Sequence, residues 1–227
     1  MTFEDKGIRG TDVSYYQGNP KQNLFVDFEK MKAAGAKFTI IKAGQRDYVD
    51  PAFAYNWKAA KEAKLPRGAY WFLDDEKNGK SQAEFFWNLM KDDPGEGPLV
   101  IDYEWGSGTD WRREYDFVVR LQELSGYPAH KIWIYTGYYY WRDNGPMFDY
   151  QLEFFKPFGV WLAAYPKDDE VAKIAAGEKA DISKFAIPHP WTDPVMWQVG
   201  TPVVGKEYGA HSLEIDYDVF NGGVPEF

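Results

Sequence analysis

Eight short apolar segments, separated by helix-like or turn-like stretches, constrain the fold of this chain more than any other feature. They are Ile8–Val13, Phe38–Ala43, Arg67–Phe72, Leu99–Glu104, Ile132–Thr136, Val160–Ala164, Val195–Val199 and Leu213–Tyr217. Between them lie recognisable helix signals. Asp50-Pro51 reads as an N-cap with a first-turn proline, opening a helix to about Lys64. Ser81-x-x-Glu84 reads as a capping box before Phe85-Phe86-Trp87. Trp111, Tyr115, Val118, Leu121 and Leu124 recur at helical spacing, with Gly126 as the stop. Continuously apolar strands alternating with helices predict a parallel sheet covered on its outer face, and eight of them predict closure into a barrel.

The second half breaks the regular alternation. Residues 166–194 hold one helical patch, near Val171–Ala176, and the link over 200–212 is too short for a covering helix. The expected fold is therefore α/β, a single flattened, irregular (β/α) TIM-like barrel. Eight strands and about five helices are expected, with residues 1–227 forming one catalytic domain.

The fourth segment ends in Asp102-Tyr103-Glu104-Trp105. Side chains alternate along a strand, so the two acids point to one side. Crowding two carboxyls drives their proton affinities apart, which supplies an acid and a base at one pH. The same spacing recurs at Asp74/Glu76 and Asp168/Glu170, but in polar, lysine-flanked stretches expected to be solvated loops. Reactive groups of such barrels gather at the C-terminal strand ends. Closure makes the first and last strands neighbours, bringing Asp12 and Asp216 together at the same mouth. Several acids around one mouth suit glycosidic bond cleavage or binding of a hard cation.

Composition narrows the choice. The 42 aromatic residues, 10 Trp, 16 Tyr and 16 Phe, are 19% of the chain. Many stand in turn-like settings, Tyr15-Tyr16 and Tyr138–Trp141 among them, where flat amphipathic rings suit sugar faces. A formal charge of −9 opposes nucleic acid as a partner. Cys is absent, and His130, His189 and His211 are scattered, so no metal site or cofactor is expected. No apolar run reaches membrane-spanning length, and the N-terminus lacks a signal-peptide pattern.

Taken in order, these motifs resemble the lysozymes of glycoside hydrolase family 25, the muramidases that cut bacterial peptidoglycan. The resemblance runs through Gly10–Gln17, Phe38–Ala43, Asp50-Pro51-x-Phe53 with Asn56, and Arg67–Tyr70. It continues through Asp102–Glu104, Ile134–Gly137, Trp161–Tyr165, Trp197-Gln198 and Ile215-Asp216-x-Asp218-x-Phe220-x-Gly222. It implies Glu104 as general acid with Asp102 assisting, and Asp12 and Asp216 completing the acidic mouth. It further implies sugar contacts from Lys42, Tyr70, Tyr135, Tyr165, Trp197 and Gln198, with Gln17 holding a loop. Trp71 stands where the family often has His and is expected to alter the cleft. A substrate-assisted route through the N-acetyl group is implied, while the sequence leaves a carboxylate nucleophile or an inverting water open.

The expected partner is peptidoglycan, with no nucleic acid, no membrane and a monomeric chain. The expected setting is the bacterial cell wall. The enzyme would be endolysin-like and released at phage lysis, or its export signal would lie outside this sequence. Two other readings compete: a glycan-binding barrel without catalysis, and another barrel glycosidase such as a chitinase. The latter's Asp-x-x-Asp-x-Asp-x-Glu pattern is missing, since Glu96–Ile101 lacks the preceding aspartates.

Overall fold

The computed structural model describes residues 3–106 and 111–221, so Gly222 of the last motif lies outside the described residues. Its strands are β1 (Asp5–Val13), β2 (Phe38–Gln45), β3 (Tyr48–Val49), β4 (Arg67–Phe72) and β5 (Leu99–Asp102). They continue with β6 (Ile132–Gly137), β7 (Gly159–Ala163), β8 (Met196–Val204) and β9 (Glu214–Asn221). The sheet runs β1-β9-β8-β7-β6-β5-β4-β2 and closes by pairing β1 with β2. The two-residue β3 folds back on β2 as a hairpin outside the ring. Eight strands therefore make the barrel, as expected.

The sheet is mixed rather than parallel. Every barrel pair from β1 through β2, β4, β5, β6 and β7 to β8 is parallel, but β9 runs antiparallel to both β8 and β1. The reason is length. A parallel crossover needs a dozen or more residues, usually with a helix, and residues 205–213 between β8 and β9 provide neither.

Seven α-helices are present among the described residues, rather than about five. They are α1 (Phe28–Ala33), α2 (Phe53–Glu62), α3 (Gly79–Met90), α4 (Arg112–Ser125), α5 (Tyr138–Asn144), α6 (Asp149–Phe155) and α7 (Asp168–Ala175). Three of them, α1, α5 and α6, are too short to show clear periodicity. The aromatic run Tyr138–Trp141 is thus helical, not a turn.

Local signals were shifted rather than absent. Asp50 closes the turn before α2, its carboxylate accepting from the Ala52 N–H at 2.9 Å and from the Tyr15 N–H at 3.2 Å. The cap of α3 is Asn78, which accepts from the Ser81 N–H at 2.8 Å, so the helix starts before the Ser81–Glu84 box. Gly126 does end α4, in the left-handed conformation at φ 68° that glycine tolerates. The other two Asp-x-Glu triplets are solvated in part: the first lies in a loop with Glu76 exposed, and Asp168 of the second is exposed, though on a helix. Asp74 is buried and accepts from Arg46 Nη2 at 3.0 Å, and Asp168 and Glu170 occupy the first turn of α7, where the helix dipole favours acids.

Strand alternation divides the core in two. Phe38, Ile40, Val100, Trp133, Tyr135, Trp161 and Met196 fill the barrel interior. Alternate residues face outward to the helices. Trp71 belongs to the outer set: it is fully buried, its indole N–H donates to Gln82 Oε1 at 3.1 Å, and Phe85 and Phe86 pack at 5.5 and 5.7 Å. Trp71→Ala is therefore expected to lower stability by about 3–5 kcal/mol. Thermal or urea unfolding would check this, and a near-neutral effect would contradict the packing described.

Candidate active site

One parity rule sets the site. Asp12 on β1, Lys42 on β2, Tyr70 on β4, Asp102 on β5, Tyr135 on β6, Trp161 on β7, Gln198 on β8 and Asp216 on β9 all face the barrel axis. With Glu104, just past β5, they line a cleft of about 360 Å³ at the mouth, together with Ser14, Tyr16, Gln17, Phe72 and Tyr165. Trp71 and Trp197, expected in the cleft, have the opposite parity and point away from it. Trp197 is fully buried, donates its indole N–H to the Ala164 carbonyl at 2.6 Å, and packs against Phe185 at 5.4 Å. The other expected residues line the cleft.

The pair at the end of β5 is arranged as its spacing predicts. Tyr103, between the acids, turns outward into the core, where its hydroxyl donates to the Asn144 carbonyl at 2.8 Å. Asp102 is only 5% exposed and its buried Oδ1 has no hydrogen-bond partner. Glu104 instead stands open at the mouth. Burial pushes the Asp102 carboxyl well above its ordinary range, and repulsion from Glu104 adds to this while Lys42 opposes it. The cleft walls also raise Glu104, against the pull of Lys42 and with a push from Asp216. Asp102, being the deeper of the two, is the harder to ionise. The empty pair therefore holds a proton more tightly than free carboxyls would.

Lys42 is the cation of this acidic mouth. It is nearly buried, donates to the neutral Gln45 Oε1 at 2.8 Å, and lies 4.9 Å from the centre of the Phe72 ring.

Asp12 and Asp216 are directly paired across β1 and β9, as closure predicts. Asp12 is raised strongly by burial and then by Asp216 and Asp218; Asp216, less enclosed, is raised to about 6, chiefly by burial. Gln198 Nε2 donates to Asp12 Oδ2 at 2.7 Å. The Gln198 carbonyl oxygen accepts from the hydroxyls of Tyr135 at 2.7 Å and Tyr165 at 2.8 Å. Two hydroxyl donors on that oxygen fix the amide's orientation, so its N–H faces the acid.

Sequence reasoning missed two members of this group as site residues. Asp218 is fully buried, accepts from the Trp161 indole N–H at 2.9 Å, and helps to raise the proton affinity of Asp12. Both share the inward parity of the acids already identified, and counting in twos from Asp216 or from Ala163 would have found them. Gln17 holds the loop as expected, its side-chain oxygen accepting from the Ser14 N–H at 2.8 Å, and it also lines the cleft.

Comparison with known proteins adds a family to this geometry. The family described as Glycosyl hydrolases family 25 matches residues 11–199. The chain is similar to a muramidase from Trichobolus zukalii at 28% identity and a TM-score of 0.69, over 95% of this chain and 94% of that one. It is similar to a bacterial lysozyme from Streptomyces coelicolor at 25% identity and a TM-score of 0.72, over 97% and 94%. A shorter match, 34% identical over 85 residues, is to Lysozyme M1 of Streptomyces globisporus, covering 37% of this chain and 27% of that protein.

Proposed function

The chain belongs to glycosyl hydrolase family 25 and is a peptidoglycan hydrolase of the lysozyme type; we propose that it cuts the β-1,4 bond between N-acetylmuramic acid and N-acetylglucosamine, with Glu104 as general acid and Asp102 assisting. The observation that carries this assignment is the unequal placement of the two acids. Glu104 is open at the mouth, where a glycosidic oxygen can reach it. Asp102 is buried and short of hydrogen-bond donors.

That shortage suggests how the proton reaches the right place. In the empty cleft burial raises the proton affinity of both acids, that of the enclosed Asp102 strongly. An acetamido N–H entering the cleft supplies the donor that the Asp102 carboxyl lacks, which stabilises its ionised form. The proton then resides on Glu104, which donates it to the leaving-group oxygen as that bond breaks. The acetamido oxygen, oriented by its N–H on Asp102, attacks the anomeric carbon and forms a cyclic intermediate, and water later opens it with Glu104 now acting as base.

Asp12 and Asp216 flank the positive charge that develops on the sugar ring. The Gln198–Tyr135–Tyr165 cluster keeps Asp12 in place. Lys42 opposes the rise in proton affinity of both central acids. Tyr70 and Trp161 give the cleft an aromatic wall. The protein would act on the bacterial cell wall, and among the described residues no helix is long and apolar enough to cross a membrane.

Mass spectrometry of digested cell walls tests the bond assignment. Fragments carrying muramic acid at the new reducing end are expected. Fragments ending in reducing glucosamine would assign the enzyme to the other bond of the repeat, and intact walls would remove the hydrolase reading.

A further inference from the structure

Three large aromatic side chains stand exposed at the C-terminal ends of three adjacent barrel strands. Trp105 follows β5 and is 62% exposed, Tyr139 follows β6 and is 70% exposed, and Tyr165 follows β7 and is 59% exposed. Their strands are consecutive neighbours in the sheet. Register sets the ends of these strands side by side, Asp102 opposite Tyr135 and Gly137 opposite Ala163, and the three aromatics follow those ends, Tyr139 in the first turn of α5.

The row is held in place and is continuous with the cleft. Trp105 is covalently next to Glu104, and Tyr165 itself lines the cleft. The first turn of α5 is fastened beside the acids, because Tyr140 and Trp141 pack edge-on against Tyr103 at 5.0 and 6.1 Å. That leaves Tyr139 on the outer side, with the Arg142 guanidinium 5.1 Å from its ring centre. None of the three exposed rings is needed to fill the core.

We propose that Trp105, Tyr139 and Tyr165 form a shelf that binds the glycan strand beyond the sugars in the cleft. The inference rests on the peptidoglycan-hydrolase reading and extends it. A cleft of about 360 Å³ is near the small end for ligand sites, whereas the substrate is a polymer. Pyranose rings offer apolar C–H faces that stack on flat aromatic surfaces, and their hydroxyl rims remain in water. A row of such rings leading out of the cleft matches a strand of repeating sugars better than it matches a protein partner. Trp105 and Tyr139 make the clearer test, since Tyr165 also hydrogen-bonds Gln198.

The experiment compares peptide-free glycan strands of about ten sugars with a tetrasaccharide of the same repeat. Binding is measured by calorimetry on the Glu104→Gln protein, and cleavage on the protein with Glu104 intact. In Trp105→Ala and Tyr139→Ala, long-strand binding is expected to weaken by about tenfold each, a step of about 1.4 kcal/mol. KM for long strands should rise with kcat retained, and tetrasaccharide cleavage should stay unchanged. Trp105→Phe and Tyr139→Phe should restore most of the long-strand affinity. Equal losses on both lengths, or no loss on either, would overturn the shelf. If the unaltered protein binds long strands through these rings but cleaves nothing, the hydrolase reading falls and the shelf stands. Melting curves of each variant exclude a folding defect as the cause.

Discussion

Glu104→Gln is expected to lower the rate of peptidoglycan cleavage by about 10²–10⁴-fold while leaving the fold intact, measured as clearing of a cell-wall suspension. The amide matches the carboxyl in size and sits at the open mouth, so packing is not disturbed. It has no proton to give to the departing sugar oxygen. Binding of glycan should survive, because the aromatic wall and the hydrogen-bonded Gln198 cluster are untouched. Undiminished clearing would remove Glu104 from the acid role and direct attention to Asp216, whose carboxyl burial raises to about 6. The two outcomes also differ in pH behaviour, since loss of the acid flattens the limb of the profile that the pair controls.

Asp102→Asn is expected to separate activity from stability. Cleavage should fall by about 10²-fold or more, because Asn cannot take up the negative charge that orients the acetamido group. Stability should move the other way. The folded protein holds Asp102 well above its ordinary value of 3.8, so folding favours its protonated form. Below about pH 3.8 both folded and unfolded states are protonated, and the Asn variant should match the parent. As pH rises above that value the parent loses stability, and the loss stops growing once pH passes the folded pKa. The variant, neutral throughout, escapes this loss. Its melting temperature should therefore exceed the parent's by an amount that grows as pH rises above about 3.8. Each kcal/mol is worth roughly 2–4 °C for a chain of this size. A gap that shrinks as pH rises would show that Asp102 is stabilised as the anion in the folded state.

Strand number, barrel closure and the meeting of Asp12 with Asp216 could be read directly, because each depends on local pattern plus one topological rule. The direction of β9 was less visible. Apolar runs look alike whichever way they enter a sheet, and only the shortness of residues 205–213 betrays the reversal. Helices α1, α5 and α6 were hidden for a different reason: six or seven residues make fewer than two turns, too few for a period to repeat. The error at Trp71 and Trp197 came from residue type overruling position. A tryptophan beside a cleft motif suggests sugar, yet Tyr70 and Gln198 already occupy the inward places, and their neighbours must face the helices. Asp218 and Trp161 show the same rule from the other side. Burial of the Asp74 carboxylate could not be foreseen, because its partner Arg46 comes from the β2–β3 hairpin, distant in sequence and revealed only by tertiary packing.

The reversed β9 also decides where anything joined to this protein would hang. The mouth lies at the finishing end of β1 but at the starting end of β9, where Asp12 and Asp216 pair. At the far end Asp5 pairs with Asn221, and the Glu4 N–H donates to Asn221 Oδ1 at 2.8 Å. The first and last described strands thus open side by side at the base, about 20–25 Å of strand away from the acids. A bead, a tag or a targeting module attached through either strand would tether the barrel by its floor and leave the mouth facing outward. Both attachment points would allow the same presentation to an insoluble polymer, which is a practical advantage for an enzyme whose substrate cannot diffuse to it.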